Sequence, residues 1–219
     1  MNPPVSRGLW IAFFGPDGVG KSAVIDKLQT HSFGISDRSA RFHFRPRFHR
    51  HPHDGLPVTS PHGRPPRSWL VSLGKLAYWL TDCWYGYFVA VRPIRNSGGL
   101  VVFDRYYPDV LVDPRRYRLP KGSVRFARWL LRFAPRPDLY VLLDAPAEVI
   151  RQRKTELSFD ELHRQRIAYL KMFEGIRNKL LVNANNPVDE IARNIGVALE
   201  DAHRASLFEN SGPSLLASL

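Results

Sequence analysis

Eight residues near the start of the chain restrict its fold more than any other segment, the run Gly15-Pro16-Asp17-Gly18-Val19-Gly20-Lys21-Ser22. The run fits the pattern G-x-x-x-x-G-K-[ST] at every fixed position. The apolar residues 9–14 come directly before it, and behind it Val24, Ile25 and Leu28 recur at helical spacing. We therefore expect a strand, a glycine-rich turn and a helix in this order, which is the structural context that the motif requires.

The residue types in this turn suit the binding of a triphosphate. Glycines allow backbone amides to turn inward around phosphate oxygens, and the helix N-terminus adds positive potential. We expect Lys21 to reach the β and γ phosphates as a catalytic cation, and the hydroxyl of Ser22 to bind Mg²⁺. The residues predicted to bind nucleotide are Gly15, Asp17, Gly18, Val19, Gly20, Lys21, Ser22 and Ala23. The alternative, a turn that only joins a strand to a helix, is disfavoured by the correct flanking elements.

A second metal ligand is expected at the end of another central strand. Residues 100–103 are apolar, and Asp104 follows them directly. Asp104 is therefore the predicted partner of Ser22 in holding Mg²⁺. The alternative is an ordinary turn aspartate, which is common at such positions.

Apolar patterns along the rest of the chain predict alternating strands and helices. Besides the first strand, strands are predicted at residues 41–44, 100–103, 139–143 and 180–182. Helices are predicted at residues 21–31, 69–91, 123–134, 159–180 and from 188 to about 208. This alternation indicates an α/β fold of three layers, α/β/α, with a central parallel sheet of about five strands.

The segment of residues 69–91 is predominantly apolar and is nearly long enough to span a bilayer. Lys75 and Asp82 lie inside it, and each charge would cost about 3 kcal/mol near the centre of a membrane. A buried core helix is therefore expected, and no transmembrane span.

The length of 219 residues favours one domain, residues 1–219, over two linked domains. Within it, residues 45–68 are rich in Pro, His and Arg without an apolar period, which predicts a long basic loop. Residues 209–219 are predicted to form a loose tail.

The formal charge of +12 favours anionic partners, namely nucleotides, phosphorylated metabolites, nucleic acid or an acidic membrane surface. Cys83 is the only cysteine, so no internal disulfide can form, as is usual in a reducing compartment. Residues 1–8 are too short for a signal peptide before a strand-like run. These features predict a cytoplasmic protein.

Three motifs together resemble the thymidylate kinase family. They are the glycine-rich run after Phe14, the triplet Asp104-Arg105-Tyr106, and the run Leu143-Asp144-Ala145-Pro146. The resemblance covers about residues 9–200. It implies a P-loop kinase fold with a helical lid at about residues 147–166, and an ATP- and Mg²⁺-dependent transfer of the γ-phosphate to a nucleoside monophosphate such as dTMP.

The resemblance also implies roles for single residues on the acceptor side. Asp17 is expected to contact the acceptor sugar, Arg105 and Arg45 the acceptor phosphate, and Trp79 to stack on the acceptor base. Asp109 stands where a small hydroxyl residue is common in the family, and it is counted among the substrate-binding residues.

Arginines of the lid are expected to stabilise the charge of the transferred phosphoryl group. Val19 leaves the phosphate-binding turn without an arginine of its own, so this cation is assigned to the lid. Arg153 is the first choice and Arg151 the second, with Arg164 and Arg166 further along.

Two alternatives to this function stay open. Cys83 stands where the family usually has an arginine that reads the base, so the acceptor can be another phosphorylated metabolite, for example a sugar or a lipid-linked compound. A non-catalytic nucleotide-binding module that engages nucleic acid or membrane is a further alternative, although nucleic acid is the less favoured partner. A homodimer is plausible from the family resemblance and is supported by no motif.

Overall fold

The computed structural model describes residues 7–30, 38–44, 65–120, 122–154 and 157–210, and for residues 205–210 it describes the backbone alone. The described strands are β1 Trp10–Phe14, β2 Ser39–His43, β3 Leu100–Asp104, β4 Leu139–Asp144 and β5 Lys179–Asn183. The described α-helices are α1 Lys21–Thr30, α2 Trp69–Gly86, α3 Arg92–Asn96, α4 Asp109–Val112, α5 Ser123–Leu130, α6 Ala147–Arg153, α7 Phe159–Glu174 and α8 Val188–Asn210.

The five strands form one parallel sheet in the order β2-β3-β1-β4-β5. β1 lies in the centre and pairs with β3 on one side and with β4 on the other. All five residues of β1 and of β3 are buried, as is typical of parallel strands with helices on both faces. The predicted α/β class and the parallel sheet of about five strands are confirmed.

Two hydrophobic clusters cover the two faces of the sheet. Ile11 and Phe13 of β1 belong to the cluster that contains residues of α1, α6 and α8. Trp10, Ala12 and Phe14 alternate with them and belong to the cluster that contains residues of α2, α4, α5 and α7. Successive strand residues point to opposite faces, so β1 contributes to both cores of the three-layer structure, as do β3 and β4.

The helix at residues 69–91 differs from the prediction in two ways. It is not a buried core helix, because Leu76 and Trp79 are buried whereas Leu70 and Tyr78 on the same helix are exposed. Its last turn, Tyr87–Val91, is a π-helix that leads into α3. No helix of the described ranges combines the length and the apolar character needed to cross a bilayer.

Other boundaries also differ. The helix predicted at residues 159–180 ends at Glu174, because Gly175 is a poor helix former and residues from Lys179 onward pair with β4. The helix predicted at 123–134 ends at Leu130 and continues as the 3₁₀ turn Leu131–Phe133. The short helices α3, α4 and α6 were not predicted as separate elements.

The predicted basic loop at residues 45–68 lies largely outside the described residues, which resume at residue 65. The final helix α8 continues to Asn210, two residues into the predicted tail, and residues 211–219 lie outside the described part. The prediction of a single domain stays a prediction.

Candidate active site

The predicted site residues lie at the carboxyl ends of the central strands. The glycine-rich turn follows β1, Asp104 ends β3 and Asp144 ends β4. Since β3 and β4 flank β1 on opposite sides, the chain leaves the sheet in two directions at this edge. A crevice at such a switch point is the usual place of a ligand site in an open parallel sheet.

The turn between β1 and α1 has a backbone that favours glycine. Gly15, Gly18 and Gly20 adopt φ angles of 137°, 89° and 106°. A Cβ atom on Gly18 would lie 2.8 Å from Cβ of Lys154, and one on Gly15 would lie 2.6 Å from the carbonyl oxygen of Leu143. The pattern of glycines therefore follows from both conformation and close packing.

Lys21, the first residue of α1, folds back over the turn. Its Nζ donates hydrogen bonds to the carbonyl oxygens of Gly15 (2.7 Å) and Pro16 (2.8 Å), and the residue is buried. Burial and, to a lesser extent, Arg105 lower the pKa of Lys21 to about 8, against the opposite effect of Asp17. The ammonium group therefore lies inside the turn, where a bound phosphate chain would meet it.

Ser22 and Asp104 are brought together as predicted, and Arg41 of β2 lies between them. Nη2 of Arg41 is 3.2 Å from Oγ of Ser22 and 3.0 Å from Oδ2 of Asp104. The other oxygen of Asp104, Oδ1, is buried and has no hydrogen-bond partner within the described ranges. A hydroxyl and a carboxylate are hard oxygen ligands that suit Mg²⁺, so the pair fits the predicted metal.

The charge state of Asp104 also suits a cation. Burial disfavours its ionised form, but His43, Lys21 and Arg41 hold the pKa of this carboxyl well below its ordinary value. An ionised carboxylate with one oxygen that has no partner is a chemically competent cation ligand.

Asp17 faces away from this pair and binds two arginines. Its Oδ1 accepts a hydrogen bond from Nη2 of Arg105, and its Oδ2 accepts one from Nη1 of Arg116, both at 2.5 Å. Burial opposes ionisation, but Arg105, Lys21 and Arg116 together hold the pKa of Asp17 well below its ordinary value. Asp17 thus connects the phosphate-binding turn to the segment after α4.

Arg105 and Asp109 form a buried pair. Nη1 of Arg105 lies 2.8 and 2.9 Å from the two carboxylate oxygens of Asp109 and 2.7 Å from the hydroxyl of Tyr169. Asp109 is 0% exposed and also accepts a hydrogen bond from the hydroxyl of Tyr117. Burial favours a neutral Arg105, yet Asp109 and Asp17 raise its pKa well above the ordinary value. Asp109 therefore meets a cation and two hydroxyl groups.

Trp79 of α2 lies in an aromatic cluster next to these charges. Phe44 and Tyr117 stack at 5.1 Å between ring centroids, and Trp79 meets both rings edge to face at 5.6 and 5.4 Å. Nζ of Lys75 lies 4.5 Å from the centroid of the Trp79 ring. Trp79 is only 4% exposed, so neighbouring side chains enclose the ring that was predicted to stack on a base.

The arginines of the predicted lid differ in their surroundings. Nη1 of Arg153 donates to the carbonyl oxygens of Val19 (3.2 Å) and Ala184 (3.0 Å), so it lies against the glycine-rich turn. Arg166 binds both oxygens of Asp144 at 2.7 and 2.9 Å, and Arg164 binds Glu161. Arg151, two residues before Arg153, is exposed.

The structure therefore brings together most of the predicted residues. Ala23 lies in the first turn of α1 and is exposed, and Arg45 lies outside the described residues. Sequence reasoning missed Arg41 and gave no position to Arg116 and Tyr117. The run Arg115-Arg116-Tyr117-Arg118 was the only signal for the latter two, because an arginine-rich turn beside a nucleotide motif suits phosphate groups.

Comparisons with known proteins point in one direction, although no family model matches the chain. A probable thymidylate kinase of Thermococcus gammatolerans is 35% identical over 116 residues, which cover 48% of this chain and 53% of that protein. The match thus spans about half the length of that relative. The thymidylate kinase of Leifsonia xyli subsp. xyli is 28% identical over 218 residues, which cover 91% of this chain and 99% of that protein.

A solved structure supports the fold. The thymidylate kinase of Candida albicans superimposes with a TM-score of 0.64 at 19% sequence identity, covering 90% of this chain and 94% of that one. The described sheet and its flanking helices thus match a P-loop kinase fold. Sequence relatives, fold and motifs agree, and in all three respects the chain is similar to the thymidylate kinases.

Proposed function

We propose that this protein is a kinase that transfers the γ-phosphate of ATP to a nucleoside monophosphate of the dTMP type, with Mg²⁺ as the metal ion. One observation carries the proposal. Asp17 belongs to the phosphate-binding turn and at the same time contacts Arg105 and Arg116 beside the aromatic cluster of Phe44, Trp79 and Tyr117. The predicted triphosphate site therefore adjoins, through Asp17, a cluster of aromatic and cationic side chains that suits a second, aromatic and anionic ligand.

On the donor side, backbone amides between Gly15 and Ser22 and the ammonium of Lys21 bind the phosphates of ATP. Ser22 and Asp104 would hold Mg²⁺, which would supply positive charge that neutralises the phosphate oxygens. Arg153 lies against the carbonyl of Val19 and supplies positive charge close to the turn. These groups stabilise charge that develops during transfer.

On the acceptor side, Asp17 accepts a hydrogen bond from a hydroxyl of the acceptor sugar, and Trp79 contributes to the surface that meets the base. Arg105 is held by Asp17, Asp109 and Tyr169, so in this proposal it fixes Asp17 in place. A direct contact of Arg105 or Arg45 with the acceptor phosphate stays a prediction. Transfer is in line, with no covalent intermediate on the protein.

A phosphotransfer assay with purified protein tests the proposal. Purified protein receives Mg²⁺ and ATP together with dTMP, other nucleoside monophosphates or ribose 5-phosphate, and nucleoside diphosphate formation is followed by chromatography. We expect dTDP from dTMP, and ADP release that depends on the acceptor. Lys21→Met keeps the length of the side chain without its charge and serves as the matched inactive variant.

Two results would contradict the proposal. Folded protein that transfers phosphate to none of the nucleoside monophosphates overturns the assigned acceptor class. Transfer only to ribose 5-phosphate favours the alternative of a phosphorylated sugar. A cytoplasmic location and a homodimer remain predictions from the sequence.

A further inference from the structure

The acceptor side of the site holds two side chains that sequence reasoning did not place. Arg116 and Tyr117 lie in the turn between α4 and α5, far along the chain from the glycine-rich turn. Arg116 reaches Asp17 at 2.5 Å, and Tyr117 stacks on Phe44 and reaches Asp109 at 2.8 Å. The two residues are therefore inserted into the pocket that the proposed function assigns to the acceptor.

The contacts of these two residues match those that a bound nucleotide needs. The flat ring of Tyr117 lies beside Trp79 and parallel to Phe44, with 23° between the planes of Tyr117 and Phe44. A base would need the same aromatic surroundings. Arg116 donates a hydrogen bond to Asp17, as a sugar hydroxyl would.

Trp79 and Phe44 expose little of their rings while Tyr117 is in this position, since Trp79 is 4% exposed and Phe44 is 8% exposed. Tyr117 lies against both rings, and the ammonium of Lys75 lies over the Trp79 ring. A base that stacks where Tyr117 lies therefore requires Tyr117 to move aside.

The turn is held to the segment before α2 by two hydrogen bonds. The carbonyl oxygen of Arg118 accepts from the amide of Arg67 (3.0 Å), and Nε of Arg118 donates to the carbonyl oxygen of Pro65 (3.0 Å), so the turn leaves its position only when these bonds break. Arg118 has a φ angle of 58°, a left-handed conformation that a residue with a Cβ rarely adopts. Such strain often marks segments with two alternative conformations at functional sites.

We propose that Arg116 and Tyr117 occupy the acceptor pocket of the unliganded protein, and that the acceptor binds by displacing them. This inference rests on the proposed function and adds the chemistry of the acceptor. A ligand that replaces both residues has a planar ring in place of Tyr117 and a hydroxyl donor for Asp17. Its anionic group is attracted by the guanidinium of Arg116 that it releases. A nucleoside monophosphate meets all three requirements, whereas a sugar phosphate lacks the ring.

Binding of dTMP to the full chain, measured by calorimetry without ATP, tests the inference. Displacement lowers the apparent affinity by the fraction of molecules in which the pocket is free. Tyr117→Ala removes the competing ring, so we expect it to bind dTMP about tenfold more tightly than the wild type. Tyr117→Phe keeps the ring and should stay within about twofold of the wild type. Arg116→Ala removes the guanidinium that competes with the ligand for Asp17. Arg115→Ala neutralises another arginine of the same turn that does not contact Asp17, and it serves as the control for the loss of charge.

Hydrogen exchange of the unmodified protein gives a second measurement that does not depend on the folding of a variant. If dTMP displaces the turn, the amide of Arg67 loses its acceptor, the carbonyl oxygen of Arg118, and exchanges faster in the presence of dTMP. Weaker binding by Tyr117→Ala than by Tyr117→Phe, or unchanged or slower exchange of the Arg67 amide with dTMP, overturns the inference, because Tyr117 then stays in place and contacts the ligand.

The outcomes also separate this inference from the proposed function. If the wild type phosphorylates dTMP but Tyr117→Ala binds it no more tightly, the displacement mechanism is wrong and the kinase function stands. If only Tyr117→Ala binds dTMP, the displacement mechanism is supported. If neither protein binds any nucleoside monophosphate, both proposals are wrong.

Discussion

The guanidinium of Arg41 donates a hydrogen bond of 3.0 Å to the carboxylate of Asp104 across the neighbouring parallel strands β2 and β3. The same nitrogen, Nη2, lies 3.2 Å from the hydroxyl of Ser22. These two oxygens are the predicted ligands of Mg²⁺, so a cation of the protein itself occupies the space between them. A metal ion bound between the hydroxyl of Ser22 and Oδ2 of Asp104 would displace Arg41.

Removal of Arg41 should make the metal easier to bind. In Arg41→Ala, Mg²⁺ loses one competitor for Asp104, and we expect the Mg²⁺ concentration that gives half-maximal ATP binding to fall about three- to tenfold. Calorimetric titrations of ATP at a series of Mg²⁺ concentrations measure this value. Arg204→Ala removes an equal charge from the exposed surface of α8 and should leave the required Mg²⁺ concentration unchanged. A higher Mg²⁺ requirement in Arg41→Ala would contradict the competition.

Lys21 should make both stability and ATP binding depend on pH. Its pKa of about 8 in the folded protein lies below the ordinary value of 10.5. The unfolded chain therefore binds more protons between these values, and the unfolding free energy rises with pH in this range. The destabilising contribution is complete below pH 8, about 3 kcal/mol at most, and it disappears toward pH 10.5.

Lys21→Met provides the comparison, because it cannot take up a proton. We expect the stability of the wild type relative to Lys21→Met to increase between pH 8 and pH 10, as measured by urea unfolding. ATP should raise the pKa of Lys21 again, so binding at pH 8.5 should take up part of a proton in the wild type and none in Lys21→Met. Calorimetry in buffers of different ionisation enthalpy measures this uptake, and equal values in the two proteins would refute it.

Some of these features follow from local sequence, and others do not. The β1 strand, the glycine turn and α1 are predictable because hydrophobic period and positive φ are properties of adjacent residues. The bond from Arg41 to Asp104 joins residues 63 positions apart, and that from Arg116 to Asp17 joins residues 99 apart. Such contacts depend on the order of strands in the sheet, which no local pattern encodes.

The error at residues 159–180 has a similar origin. An apolar helical period continues beyond Glu174, yet Lys179–Asn183 gains more from pairing with β4 than from a longer helix. The N-terminus of α7 is locally encoded, because the side chain of Ser158 caps it by accepting a hydrogen bond from the amide of Glu161. Tertiary pairing therefore overrides the pattern at one end of α7 but not at the other.

Gly18→Ala and Gly74→Ala should have opposite effects. Gly18 has a φ angle of 89°, and an added Cβ would lie 2.8 Å from Cβ of Lys154. We expect this change to lower the unfolding free energy by about 1–3 kcal/mol and to weaken ATP binding. Gly74 lies inside α2 with nothing within 4 Å of its added Cβ, so alanine should raise stability there by about 0.5–1 kcal/mol. Urea unfolding and ATP calorimetry measure both; a Gly18→Ala protein with wild-type ATP affinity would show that the turn tolerates side chains.

Neutralisation of Asp109 should lower the unfolding free energy, because its partner Arg105 stays charged. Asp109→Asn leaves Arg105 charged and 4% exposed with only Asp17 as a charged partner. Breaking a buried pair on one side costs about 3–5 kcal/mol, and the amide oxygen of asparagine recovers part of it. Asp201→Asn in the exposed part of α8 should change stability by less than about 1 kcal/mol. A similar loss for the two variants in urea unfolding would argue against the buried pair as a stabilising element.

Arg153 and Arg151 should differ in their effect on catalysis, although both lie in α6. Both residues are exposed, but Arg153 contacts the carbonyl oxygen of Val19 in the phosphate-binding turn. If Arg153 meets the charge of the transferred phosphoryl group, Arg153→Ala should lower kcat about 100-fold with little change in the KM for ATP. Arg151→Ala should lower kcat by less than about threefold, and Arg153→Lys should recover part of the loss because it restores the charge. Equal losses in kcat for the two alanine variants would mean that α6 acts through its position as a whole and not through Arg153.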